Sequence, residues 1–310
     1  MARDYTTTTM VADVKRRASM PSNQALFSDD DIIQFMDEEL HTSLVPIIMT
    51  LREEFFVVPN EVTLVANQTN YPIPTRSVGT KLRDVYVVLS GGQRYNIPRW
   101  SPEMTASRTN RTSNDQRLSF VVQGNNIVLS DSTLTGTISM DYFRRPGHLV
   151  AVSTCATVTE VDTLNNRVTT VGRPVAWADG DLLDVTTSVP PFNSPDDDLV
   201  IIDILPGGVI ELSDVSNIHV GDFLSFDRES PIATIPEEGH NVLKQMAIVK
   251  IYESLGNTEE MKSAQAKYTE VVNNFKTLIA DRVEGEAKKC VGGTSIGQYT
   301  SGFRRTNGRW

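Results

Sequence analysis

The chain has 310 residues, long enough for a large buried core and for about two domains. Its 29 basic and 39 acidic side chains give a net charge of −10, which argues against a protein that wraps nucleic acid with a basic surface. Two cysteines, Cys155 and Cys290, do not suit a disulfide scaffold or a zinc site, and no apolar run approaches the roughly 18 residues of a membrane helix.

Residues 1–27 are predicted to form a loosely structured N-terminal arm. They lack the apolar core of a secretory signal, which together with the two cysteines indicates synthesis in a reducing compartment. Within the arm, TMVADVKRRAS could make a short helix with Val11 and Val14 on one side, ended by Pro21.

A firm helix is predicted to begin at Ser28, and we assign residues 28–60 to it. Ser28 is a good N-cap, and the three aspartates that follow it suit the positive end of the helix dipole. Apolar residues then recur at three- and four-residue steps, which gives one apolar stripe: Ile32, Phe35, Met36, Leu40, Leu44, Ile47, Ile48, Leu51 and Phe55. Pro46 should kink or break this helix near its middle.

From about residue 61 the apolar period switches to two, which predicts strands and turns. Two hairpins are expected: YVVLSGGQRYNI turns at its Gly-Gly pair, and LSFVVQGNNIVLS turns at Gly-Asn-Asn. The polar stretch SPEMTASRTNRTSNDQRL lies between them and is predicted to be a functional or mobile loop. We take residues 61–150 as one β domain.

Residues 151–233 are predicted to form a second, small β domain with an internal repeat. Within 155–232 two segments align at an offset of 41 residues, and both read strand, tight turn, strand, Gly-Asp turn, strand. Turn-forming residues align at both turns: Asn165-Asn166 with Pro206-Gly207, and Gly180-Asp181 with Gly221-Asp222. One copy could not cover its own apolar face, so we expect the two copies to pair into a small barrel or sandwich.

Residues 234–284 are predicted to be helical. Thr234 is expected to cap a first helix whose segment VLKQMAIVKIYESL is apolar nearly all round, and Gly256-Asn257 ends it. Thr258 is expected to cap a second, antiparallel helix with one apolar stripe. Since residues 28–60 have a complementary stripe, we predict an α+β fold: a helical bundle of one long N-terminal helix and a C-terminal helical hairpin, with a large inserted all-β region of two units.

Residues 285–310 form a basic, Gly-rich tail that we interpret as an extended docking segment. Its candidate docking residues are Lys288, Lys289, Tyr299, Phe303, Arg304, Arg305, Arg309 and Trp310, with Glu286 as the only acidic residue. Aromatic residues and arginines are typical of protein interfaces, and the glycines keep such a segment pliable until it binds. A terminus without a role is the alternative.

The sequence contains no constellation of catalytic, cofactor-binding or metal-binding residues that we can recognise. Its histidines are scattered: His41, His148, His219 and His240. Acidic clusters at 29–31, 37–39 and 196–198 lack the spacing of a calcium loop. Ser295 lies in a G-x-S-x-G pattern, but without the strand and helix that a nucleophile elbow requires. We therefore predict a binding or structural protein with no enzyme activity and no cofactor.

The block YPIPTRSVGTKLRDVYVV, together with REEFFVV before it, resembles a group of tailed-bacteriophage virion proteins, the head–tail adaptor (connector) proteins. In that group a long helix ends at E-E-[FY]-F-V, and a Y-x-I-P-x-R-x-x-G-x-K-L-R-D-V block follows. The matching residues are Tyr71, Ile73, Pro74, Arg76, Gly79, Lys81, Leu82, Arg83, Asp84 and Val85. Tyr142-Phe143-Arg144-Arg145-Pro146 matches the closing motif of the group. The resemblance covers residues 10–150 well and weakens beyond them.

The resemblance implies a structural virion protein that forms a ring of about twelve copies beneath the portal protein. Such a ring links the portal to tail tube or nozzle proteins and extends the channel through which DNA passes during ejection, without binding the DNA specifically. It lies in the neck of the virion, is made in the host cytoplasm and has no membrane contact. The C-terminal segment in this group commonly reaches the portal subunits. An acidic body suits such a channel, because basic side chains would hold phosphates.

Four charged residues of the matching block are candidate contacts between neighbouring subunits: Arg76, Lys81, Arg83 and Asp84. Solvated charges on an exposed strand are an equal alternative, because a surface ion pair contributes only about 0–1 kcal/mol. Two other functions stay open. A tail-associated hydrolase with a dispersed site would lose activity on changing Ser295 or would have a pocket lined by acidic residues. A host-surface-binding tail module would expose aromatic residues on the β region and bind cells. Trp177 falls at an apolar repeat position and is predicted to be buried.

Overall fold

The computed structural model describes residues 4–20, 26–89, 92–100, 118–133 and 135–280. Residues 1–279 group into one compact unit, to which all of the following refers. None of the helices in these ranges is both long and apolar enough to cross a lipid bilayer.

The predicted architecture, a helical bundle with a β insertion, is wrong. Most elements of the described chain are strands of antiparallel sheets, and the fold is α+β with a β-rich body. One cause lies at the end of the predicted long helix. Phe55 and Phe56 extend its apolar stripe, yet the helix ends at Leu51 and a single 3₁₀ turn follows. The chain then enters a strand at Val57 that pairs along its whole length with another strand.

The helices form a layer around one apolar core. Their bounds are α1 (Thr7–Arg17), α2 (Asp29–Glu39), a π-helical turn (Leu40–Leu44), α3 (Val45–Leu51), α4 (Gly239–Ser254) and α5 (Thr258–Ile279). Helix α4 is buried on nearly all sides, as its apolar sequence predicts, and it packs against α1, α2 and α5. Leu149, Ala233 and Ile235 from the connections to the β-structure share this core, so the helices are not an independent bundle.

Helix α1 is the short helix predicted within the N-terminal arm, but the segment around it is not loosely structured as expected. Its Met10, Val11 and Val14 are buried in the helical core. Thr7 fixes its first turn, because the Thr7 N–H donates to Pro231 O and the Thr7 hydroxyl donates to Val150 O, both over 2.8 Å. The N-terminal helix is thus an integral part of the layer.

Local sequence explains where α2 begins and why the helix is irregular just before α3. Ser28 and Asp31 form a reciprocal capping box at the start of α2, which satisfies two N–H groups that the helix leaves unpaired. Pro46 has no N–H to offer the preceding turn, and the irregularity predicted there is the π turn just before it. In that turn the Val45 N–H bonds to Leu40 O, five residues back.

The first β unit holds two sheets around a core of its own. Its strands are β1 (Val57–Leu64), β2 (Asn70–Pro72), β3 (Ser77–Leu89), β4 (Arg94–Asn96), β5 (Phe120–Gln123), β6 (Asn126–Leu129) and β7 (Gly136–Arg144). The order is β1-β7-β3-β4 in the larger sheet and β2-β6-β5 in the smaller one. Tyr71, Val87, Ile127 and Met140 lie buried between them.

The second β unit is a closed six-stranded barrel built from the sequence repeat. Its strands are β9 (Ala156–Asp162), β10 (Arg167–Val171), β11 (Leu182–Thr186), β12 (Leu199–Leu205), β13 (Val209–Leu212) and β14 (Phe223–Phe226). The first three come from one copy and the last three from the other, and β10 pairs with β13 while β11 pairs with β14. The two copies therefore pair into one barrel, as the sequence predicts.

The equivalent turns of the two copies have the same geometry. Gly180 and Gly221 adopt φ values of 90° and 96°, which favour glycine. The next residue in each copy, Asp181 or Asp222, accepts a backbone N–H over 2.8 Å from the residue three positions before it. Trp177 is buried in the barrel core as predicted. Two further strands, β8 (His148–Leu149) and β15 (Glu229–Ser230), pair in parallel and link the β-structure to the helices.

Candidate interaction sites

Arg76, the last residue of the YPIPTR segment, lies in the loop between β2 and β3. Its guanidinium donates to both carboxylate oxygens of Asp184 over 2.6 and 2.7 Å. It also donates to Asp198 over 2.7 Å and to Asp227 over 2.5 Å. The Arg76 side chain is 8% exposed. A planar guanidinium suits this arrangement because it offers five N–H groups in a fixed geometry.

These carboxylates all belong to the barrel, so Arg76 joins the two β units. Asp184 lies in β11, Asp198 directly precedes β12, and Asp227 directly follows β14. Asp184 is held in turn by the backbone N–H groups of Asp198 and Arg228. The sequence offered Arg76 as a contact between subunits, but its guanidinium is taken up inside the chain. Its partners lie 108 to 151 residues away, where no local pattern could indicate them.

The charged groups around Arg76 shift one another's pKa values. Burial alone would lower the pKa of Arg76, but the hydrogen bonds that its guanidinium donates to Asp184 and Asp198 outweigh it and raise that pKa above its ordinary value. The hydrogen bond to Arg76 lowers the pKa of Asp198. Burial raises the pKa of Asp197, although Arg144, 2.6 Å away, opposes this. The carboxylates of Asp184, Asp198 and Asp227 are close enough for one cation, and the Arg76 guanidinium takes that place.

The other candidate subunit contacts, Lys81, Arg83 and Asp84, lie exposed on β3. Pairing between β3 and β7 is irregular from Ser77 to Asp84, so this part of β3 bulges from the sheet. The Arg83 and Asp84 side chains lie 3.8 Å apart, a weak exposed pair. Together with Arg99, they line a surface cavity of about 730 Å³. Lys81 places its Nζ 4.4 Å from the centre of the Phe143 ring.

A second concave surface runs along α4 and α5. It is an open groove of about 980 Å³, and its acidic lining outnumbers its basic lining. The acidic side chains are Glu237, Glu238, Glu260 and Glu270, and the basic ones are Arg17 and Lys267. Lys267 pairs with Glu270 over 2.8 Å, which leaves the groove with an acidic balance.

The candidate docking residues of the tail, Lys288 to Trp310, lie outside the described residues, and so does Ser295. The polar loop SPEMTASRTNRTSNDQRL also lies outside them, except for its last residue, Leu118. The structure therefore bears on the body of the protein. Within the body, burial raises the pKa of the Cys155 thiol to about 12, which makes this cysteine unreactive.

One cluster escaped the sequence reasoning: Asp37, His41 and His148. The His148 Nδ1 lies 2.9 Å from Asp37 Oδ2, and the His41 Nε2 lies 3.4 Å from Asp37 Oδ1. The spacing of four between Asp37 and His41 on a predicted helix was a usable signal, since such residues share a helix face. His148 comes from β8, 111 residues after Asp37, and only the fold brings it there.

No family model matches the chain, and no curated protein sequence is similar to it. Its class therefore rests on the residues themselves, which define a β-rich α+β protein with an exposed charged strand. A buried ion pair between Arg76 and Asp184, called the Arg76 clasp below, joins its two β units.

Proposed function

We propose that this protein is a non-enzymatic structural component of a tailed-phage virion, an adaptor subunit of the ring beneath the portal. The observation that carries the proposal is the block from Tyr71 to Val85, whose residues resemble those of head–tail adaptor proteins. The structure separates this block into two parts with different tasks, one internal and one exposed.

The internal part of the block holds the fold together. Tyr71 and Ile73 are buried in the first β unit, and the Tyr71 hydroxyl accepts the Val65 N–H over 3.0 Å. Arg76 then clasps the barrel through Asp184. A motif that fixes one β unit against another serves a protein that must keep its shape inside an assembly.

The exposed part of the block is available to a neighbouring subunit. This part carries charges of both signs and lies on a bulged strand beside Arg99; its residues are Lys81, Arg83 and Asp84. In a ring, one subunit presents this surface to a different surface of the next subunit, and the contact repeats around the axis. Mixed charges suit such a contact because they fix its register.

The ring that we propose contains about twelve copies and lies in the neck of the virion between portal and tail proteins. Its channel extends that of the portal, and the acidic balance of the chain lets DNA pass without being held. The basic tail binds the portal, with Tyr299, Phe303 and Trp310 as apolar contacts and the arginines as charge contacts.

Co-assembly with the portal ring of the same virion tests this function. Full-length protein and a chain ending at Glu284 are each mixed with purified portal rings and examined by electron microscopy. We expect the full-length chain to add a ring beneath the portal and the truncated chain to add none. Decoration by both chains would leave the ring but refute the docking tail. Failure of both would refute the adaptor function.

A matched variant separates tail charge from tail length. Arg304, Arg305 and Arg309 are changed together to glutamine in the full-length chain, with the aromatic residues kept. If charge contacts hold the tail on the portal, this variant binds more weakly and its binding loses its salt dependence. Unchanged binding would assign the contact to the aromatic residues.

A further inference from the structure

The cluster of Asp37, His41 and His148 lies where the helical layer meets the β-structure. Asp37 belongs to α2, His41 to the π turn that follows it, and His148 to β8. The imidazole rings of His41 and His148 are 4.7 Å apart between centres and inclined by 55°. One carboxylate oxygen and two imidazole nitrogens thus lie within 4.8 Å of one another.

The cluster is held by its surroundings. The Asp37 Oδ1 accepts the backbone N–H of Leu149 over 2.8 Å, which fixes the carboxylate toward β8. The His148 Nδ1 lies 2.9 Å from the other oxygen, Asp37 Oδ2, so two contacts hold the carboxylate at the junction with β8.

His41 has a ring nitrogen that is free to bind a metal ion. Its Nε2 is buried and has no hydrogen-bond partner of good geometry within the described part of the chain, although it lies 3.4 Å from Asp37 Oδ1. A buried nitrogen without a partner is unfavourable, and a bound cation would satisfy it. His148, in contrast, is 56% exposed, so solvent reaches the cluster from that side.

The donor set selects the kind of metal. Two imidazoles and one carboxylate suit zinc and its divalent transition-metal neighbours, whereas magnesium and calcium prefer oxygen ligands alone. With metal–ligand distances of about 2.0–2.1 Å, two ligands of a tetrahedral ion lie about 3.3 Å apart. The separation of 3.4 Å between His41 Nε2 and Asp37 Oδ1 is close to this value. The His148 Nδ1 lies 2.9 Å from the other oxygen, Asp37 Oδ2, and has to move slightly away from it to bind the same ion.

We propose that Asp37, His41 and His148 form a binding site for one divalent transition-metal ion of the zinc type, with water as the fourth ligand. The ion joins α2 to β8, two elements that lie more than 100 residues apart in the sequence. Because it binds the folded state, it stabilises the junction between helices and β-structure by mass action.

Metal titration of the untagged, full-length protein tests the site. Zn²⁺ binding is followed by calorimetry and Co²⁺ binding by visible absorption, since tetrahedral Co²⁺ absorbs far more strongly than the octahedral ion. We expect one ion per chain, intense Co²⁺ bands and a higher melting temperature with Zn²⁺. In His41→Ala and in His148→Ala, we expect the affinity to fall by about tenfold or more.

Two controls keep the test decisive. His219→Ala removes an exposed histidine elsewhere, and Cys290→Ser removes the thiol of the tail; both should bind the ion as the unchanged chain does. His148 is exposed, so His148→Ala should melt normally without metal, which separates lost binding from lost folding. Absence of binding by the unchanged chain, or binding by both cluster variants as tight as that of the unchanged chain, would overturn the proposal.

Discussion

Arg76 is the residue on which the joint between the β units depends. Arg76→Met keeps most of the volume but leaves Asp184, Asp198 and Asp227 without their shared cation. We expect the free energy of unfolding to fall by about 3–5 kcal/mol, because a buried carboxylate without its partner is strongly unfavourable.

Urea denaturation of the unchanged chain and of Arg76→Met measures this loss of stability. Arg83→Met is the matched control: Arg83 lies on an exposed strand with one distant partner, and its replacement should change stability by less than about 0.5 kcal/mol. Equal stability of Arg76→Met and Arg83→Met would show that the clasp contributes nothing.

His240 gives the protein a pH dependence of known sign. The imidazole is fully buried against Tyr5 and Phe192, and burial lowers its pKa from 6.5 to about 4. Above pH 6.5 it is neutral in the folded and unfolded states alike. Between pH 6.5 and 4 only the unfolded chain takes up the proton, so stability is lost as the pH falls, by up to about 3 kcal/mol.

His240→Phe removes this titration. We expect the variant to lose less stability between pH 6.5 and 4 than the unchanged chain, as followed by urea denaturation at several pH values. His219→Asn is the control, since His219 is exposed and should leave the profile as it is. Parallel pH profiles for the unchanged chain and His240→Phe would contradict the buried, neutral imidazole.

At the scale of elements, the β12–β13 hairpin offers a matched pair of glycines. Gly207 and Gly208 both have positive φ, at 84° and 81°. A Cβ on Gly207 would meet nothing within 4 Å, whereas a Cβ on Gly208 would lie 2.6 Å from the backbone oxygen of Thr170 in β10. That oxygen belongs to a strand of the barrel and has little freedom to move.

Gly207→Ala and Gly208→Ala therefore separate backbone strain from collision. We expect Gly207→Ala to destabilise the chain by about 1–2 kcal/mol through its positive φ alone. Gly208→Ala should lose about 1–3 kcal/mol more, because the barrel must open around the new methyl group. Thermal melting compares the stabilities of the two variants. Equal losses of stability would mean that β13 and β10 pack less closely than described.

Elements that depend on neighbouring residues could be predicted, and those that depend on distant ones could not. The cap at Ser28, the end of α4 near Gly256 and the repeat turns at Gly180 and Gly221 are all readable from the sequence. The strand that begins at Val57 was missed, because Phe55 and Phe56 continue the helical period and only pairing with β7 reveals the change.

The sites divide in the same way. Lys81, Arg83 and Asp84 are exposed on a strand, which both a contact between subunits and solvated surface charges require. The partners of Arg76 and the approach of His148 to Asp37 require two β units and a helical layer to be in place first. No period or spacing in the sequence reports such contacts.

At the scale of the whole molecule, the body is more β-rich than its helical stripes suggested. The clasp at Arg76 and the junction at Asp37 connect parts with cores of their own, so the first β unit, the barrel and the helical layer act together. A protein built in this way suits a fixed place in the proposed ring, where its exposed strand would contact the neighbouring subunit.

The most direct test of the ring is the mass of its complex with the portal. Full-length protein is added in excess to purified portal rings, and the complex is weighed by native mass spectrometry. We predict a single species with as many copies of this chain as of portal subunits, about twelve of each. Portal rings of unchanged mass, or complexes with a variable number of bound chains, would contradict the adaptor ring.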